Sequence, residues 1–115
     1  MSFWTEKGVV IAQWLGYKWT MPTGQHAKFC DPYWARNGKG ENPPKYDCDA
    51  GAGVLLGELK KKGVSFLLDS NTPNNMWLIT LFDNVGAGLT DTVERTTLHE
   101  TVVDAILLLI KVSHE

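Results

Sequence analysis

Apolar residues recur every three or four positions in three stretches of this chain and every second position in others. The first period belongs to helices that bury one face, the second to strands. Residues 6–15 form the first helical stretch: Val9, Val10, Gln13 and Trp14 fall on the helical spacing, and Val10 and Trp14 are an i,i+4 pair. Gly16 follows as a stop signal. Tyr17 and Trp19 then alternate across Lys18, which predicts a short extended piece. A second helix is expected from Asp47 or Asp49, either of which has a capping side chain, through Lys62, with Gly63 as its end. Val54, Leu55 and Leu59 form its expected buried stripe, and Glu58 stands four residues before Lys62 in the favourable order of charges. Gly51, Gly53 and Gly57 each lower its intrinsic stability by up to about 1 kcal/mol relative to alanine, so tertiary packing or a close approach must account for them.

The third helix carries the clearest start signal. Thr97 caps, Glu100 lies three positions later, and Val102, Ile106 and Leu109 line a stripe widened by Val103, Leu107 and Ile110. Between the second and third helices the period changes. Residues 64–69 (VSFLLD) and 76–82 (MWLITLF) read as strands, and the short polar turn at 70–75 makes them an antiparallel pair. Trp77, Ile79 and Leu81 share one face of the second strand, and Leu78, Thr80 and Phe82 the other. Both faces are mostly apolar, which predicts cover on each side of part of the strand. The glycine-containing turn 83–92 leads to a short third strand at 93–96. Residues 20–46 fit neither period. They hold four of the five prolines, and NGKGENPPKY has a turn composition, so an irregular segment is expected. Phe29, Tyr33, Trp34 and Tyr46 predict that part of it packs back on the body.

Length and composition narrow this to one domain spanning 1–115, of the α+β class. At 115 residues, 43% hydrophobic and 21% charged, the chain can build a core without disulfides or metal. Its 11 basic and 13 acidic side chains leave a net charge of -2. The one dense basic run is Lys60-Lys61-Lys62, so no duplex nucleic acid is expected as a partner. No 18-residue apolar run occurs, and the N-terminal sequence lacks the pattern of a secretory leader, so neither a membrane nor an oxidising compartment is expected. Cys30 and Cys48 are expected as thiols.

The chemistry-bearing residues form no recognised catalytic set. The glycine-rich strings lack the GK followed by Ser or Thr of a phosphate loop, and Leu56 stands where a dinucleotide fingerprint needs its third glycine. His26, Cys30, Cys48 and His99 offer metal-ligating side chains without a compact motif, so no metal and no cofactor is expected. Cys48 near a helix start, with His99 as base and Asp49 or Asp104 as orienter, sketches a nucleophile that any small protein with these residues permits. Glu100 with Asp104, and Asp47 with Asp49, fit capping and solubility. The aromatic residues are more informative. Trp19, Tyr33, Trp34 and Trp77 are candidates for a stacking platform, with Arg36 or Arg95 meeting a phosphate or carboxylate. Trp14 and Trp77 are expected in the core from their periodic positions. Trp34, beside Pro32, Tyr33 and Arg36, is weighed between loop anchor and contact residue.

The strings LGYKW at 15–19, DPYW at 31–34, PPKYDCD at 43–49 with the helix after it, WLITLF at 77–82 and HETVVDAILLLIK at 99–111 resemble the phage ABA sandwich domain family. Together they span most of the chain. The resemblance implies a three-stranded antiparallel sheet between helices (an α/β/α sandwich), a phage or prophage origin and a bacterial host cytoplasm. It carries no catalytic residue onto this sequence, and the glycines at 51, 53 and 57 depart from the family's usual look.

The functional expectation is a non-catalytic phage accessory or interaction protein. Its candidate ligand or partner contacts are Trp19, Tyr33, Trp34, Arg36 and Arg95. The partner is expected to be a protein or a small anionic ligand, with a homo-oligomer possible. One alternative is sequestration of a small nucleotide-like signal, for which Arg36, Arg95 and the start of the second helix are the anion partners. The other is a small cysteine-dependent hydrolase.

Overall fold

The computed structural model describes residues 6–23, 31–71 and 74–113. Its elements run α1 (Glu6–Trp14), β1 (Lys18–Thr20), β2 (Tyr33–Arg36), β3 (Lys39–Gly40), α2 (Asp49–Lys61), β4 (Ser65–Asn71), β5 (Met76–Phe82), β6 (Val93–Arg95) and α3 (Leu98–Ser113). This is an α+β fold with two three-stranded antiparallel sheets, β1-β2-β3 and β4-β5-β6. The chain divides into two compact units, Met1–Pro43 and Pro44–Glu115.

In the first unit, α1 ends where the sequence signals it. The Tyr17 N–H donates to the Ala12 carbonyl and the Gly16 N–H to the Gln13 carbonyl, with Gly16 at φ 94°. These paired bonds are the Schellman closure, which a left-handed glycine completes. The segment 20–46 is not irregular throughout, as its prolines and glycines suggested. Tyr33–Arg36 and Lys39–Gly40 form a hairpin on the turn Asn37-Gly38, at φ 57° and 79°. Two central residues of positive φ, with Asn-Gly as the sequence, define the type I′ turn that best matches strand twist. The turn signal in NGKGEN was therefore a hairpin signal, hidden because its second strand is only two residues long. Among the described residues of this unit, Ile11, Ala12, Leu15, Tyr17 and Trp34 are buried hydrophobic side chains.

In the second unit, α2 begins at Asp49 as expected, but its cap position is Cys48 and neither aspartate caps it. Cys48 has the extended backbone of a cap without a side-chain cap bond, and Asp49 is the first helical residue. The helix closes as expected, with Val64 N–H on the Leu59 carbonyl and Gly63 N–H on that of Lys60. Its buried face is Gly51, Ala52, Leu55, Glu58 and Leu59. Val54, expected in the stripe, is 54% exposed. Glu58 pairs with Lys61 at 3.8 Å. A side chain at Gly51 would place its Cβ against the Lys45 carbonyl, while Gly53 and Gly57 face open space. Only the first glycine admits a close approach.

Strands β4 and β5 pair from Ser65↔Phe82 to Asn71↔Met76, and β5 pairs with β6 from Trp77↔Arg95 to Ile79↔Val93. The connection from β5 to β6 is organised by Asp83, whose carboxylate accepts the Val85 and Ala87 N–H groups at 2.9 and 2.8 Å. Helix α3 packs along β5 and β6, and α2 packs against α3. Ile79 and Leu81 on one face of β5 are fully buried, as are Val102 and Ile106 of α3. The other β5 face, Leu78, Thr80 and Phe82, is half-buried, as is Trp77. Thr97 caps α3 as expected: its hydroxyl accepts the Glu100 N–H at 3.3 Å, and its carbonyl accepts the buried Thr101 hydroxyl at 2.7 Å.

Candidate functional site

The expected contact residues separate between the two units. Trp19, Tyr33, Trp34 and Arg36 all lie on the small sheet of the first, where β1 and β2 pair Lys18↔Ala35, Trp19↔Trp34 and Thr20↔Tyr33. Side chains alternate across a strand. Register thus places Trp19, Trp34 and Arg36 on one face and Lys18, Thr20, Tyr33 and Ala35 on the other.

The first face is held by ring and ion-pair contacts of its own. The Trp19 and Trp34 rings meet edge to face, 5.3 Å between centroids and 68° between planes. Such a pair adds about 0.5–1.5 kcal/mol beyond its burial. The Arg36 guanidinium lies 4.4 Å from the centre of the Tyr17 ring. It also donates to both Glu41 carboxylate oxygens, at 3.1 and 3.3 Å. The Glu41 N–H in turn donates to the Trp34 carbonyl at 3.0 Å. Arg36 is thereby fixed by an aromatic face and a two-point carboxylate contact, the arrangement that suits a planar guanidinium. Trp34 is buried at 7% exposure and serves as the anchor, whereas Trp19 is 50% exposed.

The second face is open. A groove of about 470 Å³ is lined by Lys18, Thr20, Tyr33, Ala35, Asn37 and neighbouring glycines. Tyr33 is 43% exposed, with its ring beside Gly40. Strand β1 is an edge of the sheet. Two half-exposed aromatics therefore stand on adjacent strands and opposite faces, Trp19 on the edge strand β1 and Tyr33 on the central strand β2.

The remaining expectations lie in the second unit or outside the described residues. Arg95 is held by Asp104 at 2.8 Å and by the Glu94 carbonyl at 2.7 Å. Both arginines offered as anion partners thus already meet carboxylates. His99 Nδ1 lies 3.2 Å from Asp49 Oδ1. Cys48, half-buried at the start of α2, makes no hydrogen bond to His99 among the described residues. His26 and Cys30 fall outside the described residues, and among the described ones no three metal-ligating side chains gather. No described helix is long and apolar enough to cross a membrane. Lys18 and Asn37 went unnoticed in the sequence. The hairpin turn at Asn37-Gly38 was the available signal, because it marks Tyr33–Arg36 as a strand with Asn37 at its end.

Comparison of the chain with protein-family models, with curated proteins and with solved structures gives no match.

Proposed function

We propose that this protein is an interaction module that binds a protein partner along the β1 edge of its small sheet. The observation that carries the reading is the pair of half-exposed aromatics, Trp19 on the edge strand β1 and Tyr33 on the opposite face of its neighbour β2. Interface energy concentrates in aromatic side chains, and a strand edge offers backbone groups to an extended segment. Lys18 and Thr20 project into the Tyr33 groove and supply its polar contacts. Trp34 acts from beneath, as the ring against which Trp19 is held. The resemblance to the phage ABA sandwich domain family adds the setting: an accessory protein acting on a host or phage protein.

Photo-crosslinking tests this. A photoreactive phenylalanine analogue is placed at Trp19, at Tyr33 and, as a control, at Val85, which is 84% exposed in the second unit. In the native cell, positions 19 and 33 are expected to yield the same discrete adduct and position 85 none. Absence of an adduct at 19 and 33, or one indistinguishable pattern from all three, contradicts the proposal.

A further inference from the structure

We propose that β4 is a self-complementary edge through which two copies of this chain pair antiparallel about a two-fold axis at Leu67. Strand β4 is an edge of its sheet. Which of its backbone groups point outward follows from two independent bonds. The Leu81 carbonyl accepts the Leu89 N–H, so odd residues of β5 turn away from β4 and even ones bond to it. Thr80 is paired with Leu67, and Leu78 with Asp69. Odd residues of β4 therefore bond inward, while Phe66, Leu68 and Ser70 face the edge. The Ser70 N–H agrees, since it donates to the Asp69 carboxylate at 2.8 Å.

Both ends of that edge are already occupied. Val64, the preceding even position, donates its N–H to the Leu59 carbonyl at 3.0 Å, and the Ser70 N–H is held by Asp69. Among the described residues, the N–H and C=O groups of Phe66 and Leu68 remain between them, with no bond partner outside the β4–β5 ladder. An unpaired row of this kind is a template for another strand. In a two-fold antiparallel pairing centred on Leu67, Phe66 of each copy exchanges two hydrogen bonds with Leu68 of the other. All four outward groups of each copy are then used by their own counterparts. Leu67, 63% exposed, meets its symmetry mate in the close, non-hydrogen-bonded position. Asp69 stands opposite Ser65, so no like charges face each other. A pairing centred on Leu68 instead sets Leu67 against Asp69 and brings Ser70, already engaged, into the ladder. The leucine-centred register at 67 is the one that matches apolar to apolar, and it makes a second copy the occupant of this edge.

The test is sedimentation of the full chain from micromolar to millimolar concentration. The wild type is expected to double its mass as concentration rises. Leu67→Lys, an exposed change that leaves the fold intact, is expected to weaken association about tenfold or more, because it replaces the central apolar contact with repelling charges. With Cys30 and Cys48 replaced by serine, Leu67→Cys is expected to oxidise to a covalent dimer. Cα atoms at such a position lie about 4.5 Å apart, within disulfide reach. Val85→Cys is expected not to do so under the same conditions. A wild type that stays monomeric throughout, a Leu67→Lys chain that associates equally well, or equal cross-linking at 67 and 85 overturns the proposal.

Discussion

Three glycines of α2 look alike in the sequence and differ in consequence. Gly51 lies where a Cβ would overlap the Lys45 carbonyl, while Gly53 and Gly57 face open space. Gly51→Ala is therefore expected to destabilise the fold by about 1–3 kcal/mol, the usual range for forcing extra atoms into a packed site. Gly53→Ala and Gly57→Ala are expected to stabilise it by up to about 1 kcal/mol each, since they gain helix propensity at no steric cost. Urea unfolding of the three variants measures this, and equal effects at all three positions would contradict the packing described. Helical spacing made the glycine content visible as a problem. It did not say which glycine was constrained, because the constraint is the backbone of residues just before the helix. The same limit applies to Trp34. Its neighbours in sequence allowed either anchor or contact, and only the strand register opposite Trp19 decides for burial.

At the scale of elements, local signals read well where they act within one turn. Thr97 caps α3, Gly16 and Gly63 close α1 and α2, and β5 begins and ends where its apolar run does. Thr97→Ala is expected to cost about 1 kcal/mol, a typical capping loss, measurable as a lowered thermal midpoint. The turn after β5 is less legible, because its order rests on one side chain. Asp83 accepts two backbone N–H groups. Asp83→Ala leaves both to water and is expected to cost about 1–2 kcal/mol. Hydrogen exchange should then quicken at Val85 and Ala87 while α3 keeps its protection. The hairpin at 33–40 escaped the periodic reading for a different reason. Strands of four and two residues are too short to show alternation, and the pairing of the longer one with β1 spans a long separation in sequence. The candidate site suffers with it, since Trp19 and Tyr33 come onto adjacent strands only through that pairing.

For the molecule as a whole, the sequence supported one domain, and the structure divides into the units Met1–Pro43 and Pro44–Glu115. The second unit holds the fully buried set Leu55, Leu59, Ile79, Leu81, Val102 and Ile106. A fragment covering residues 44–115 is therefore expected to melt cooperatively with helical circular dichroism, and a non-cooperative melt would contradict a self-contained core there. Binding, by contrast, is assigned to the first unit. The most direct measurement of that assignment is the affinity of the cross-linked partner, once purified, for chains altered one side chain at a time. Trp19→Ala and Tyr33→Ala should each raise the dissociation constant about tenfold or more, as aromatic contact residues do, with Val85→Ala leaving it unchanged. An affinity indifferent to both aromatic substitutions, in chains that still fold, would remove the small sheet from the account of what this protein does.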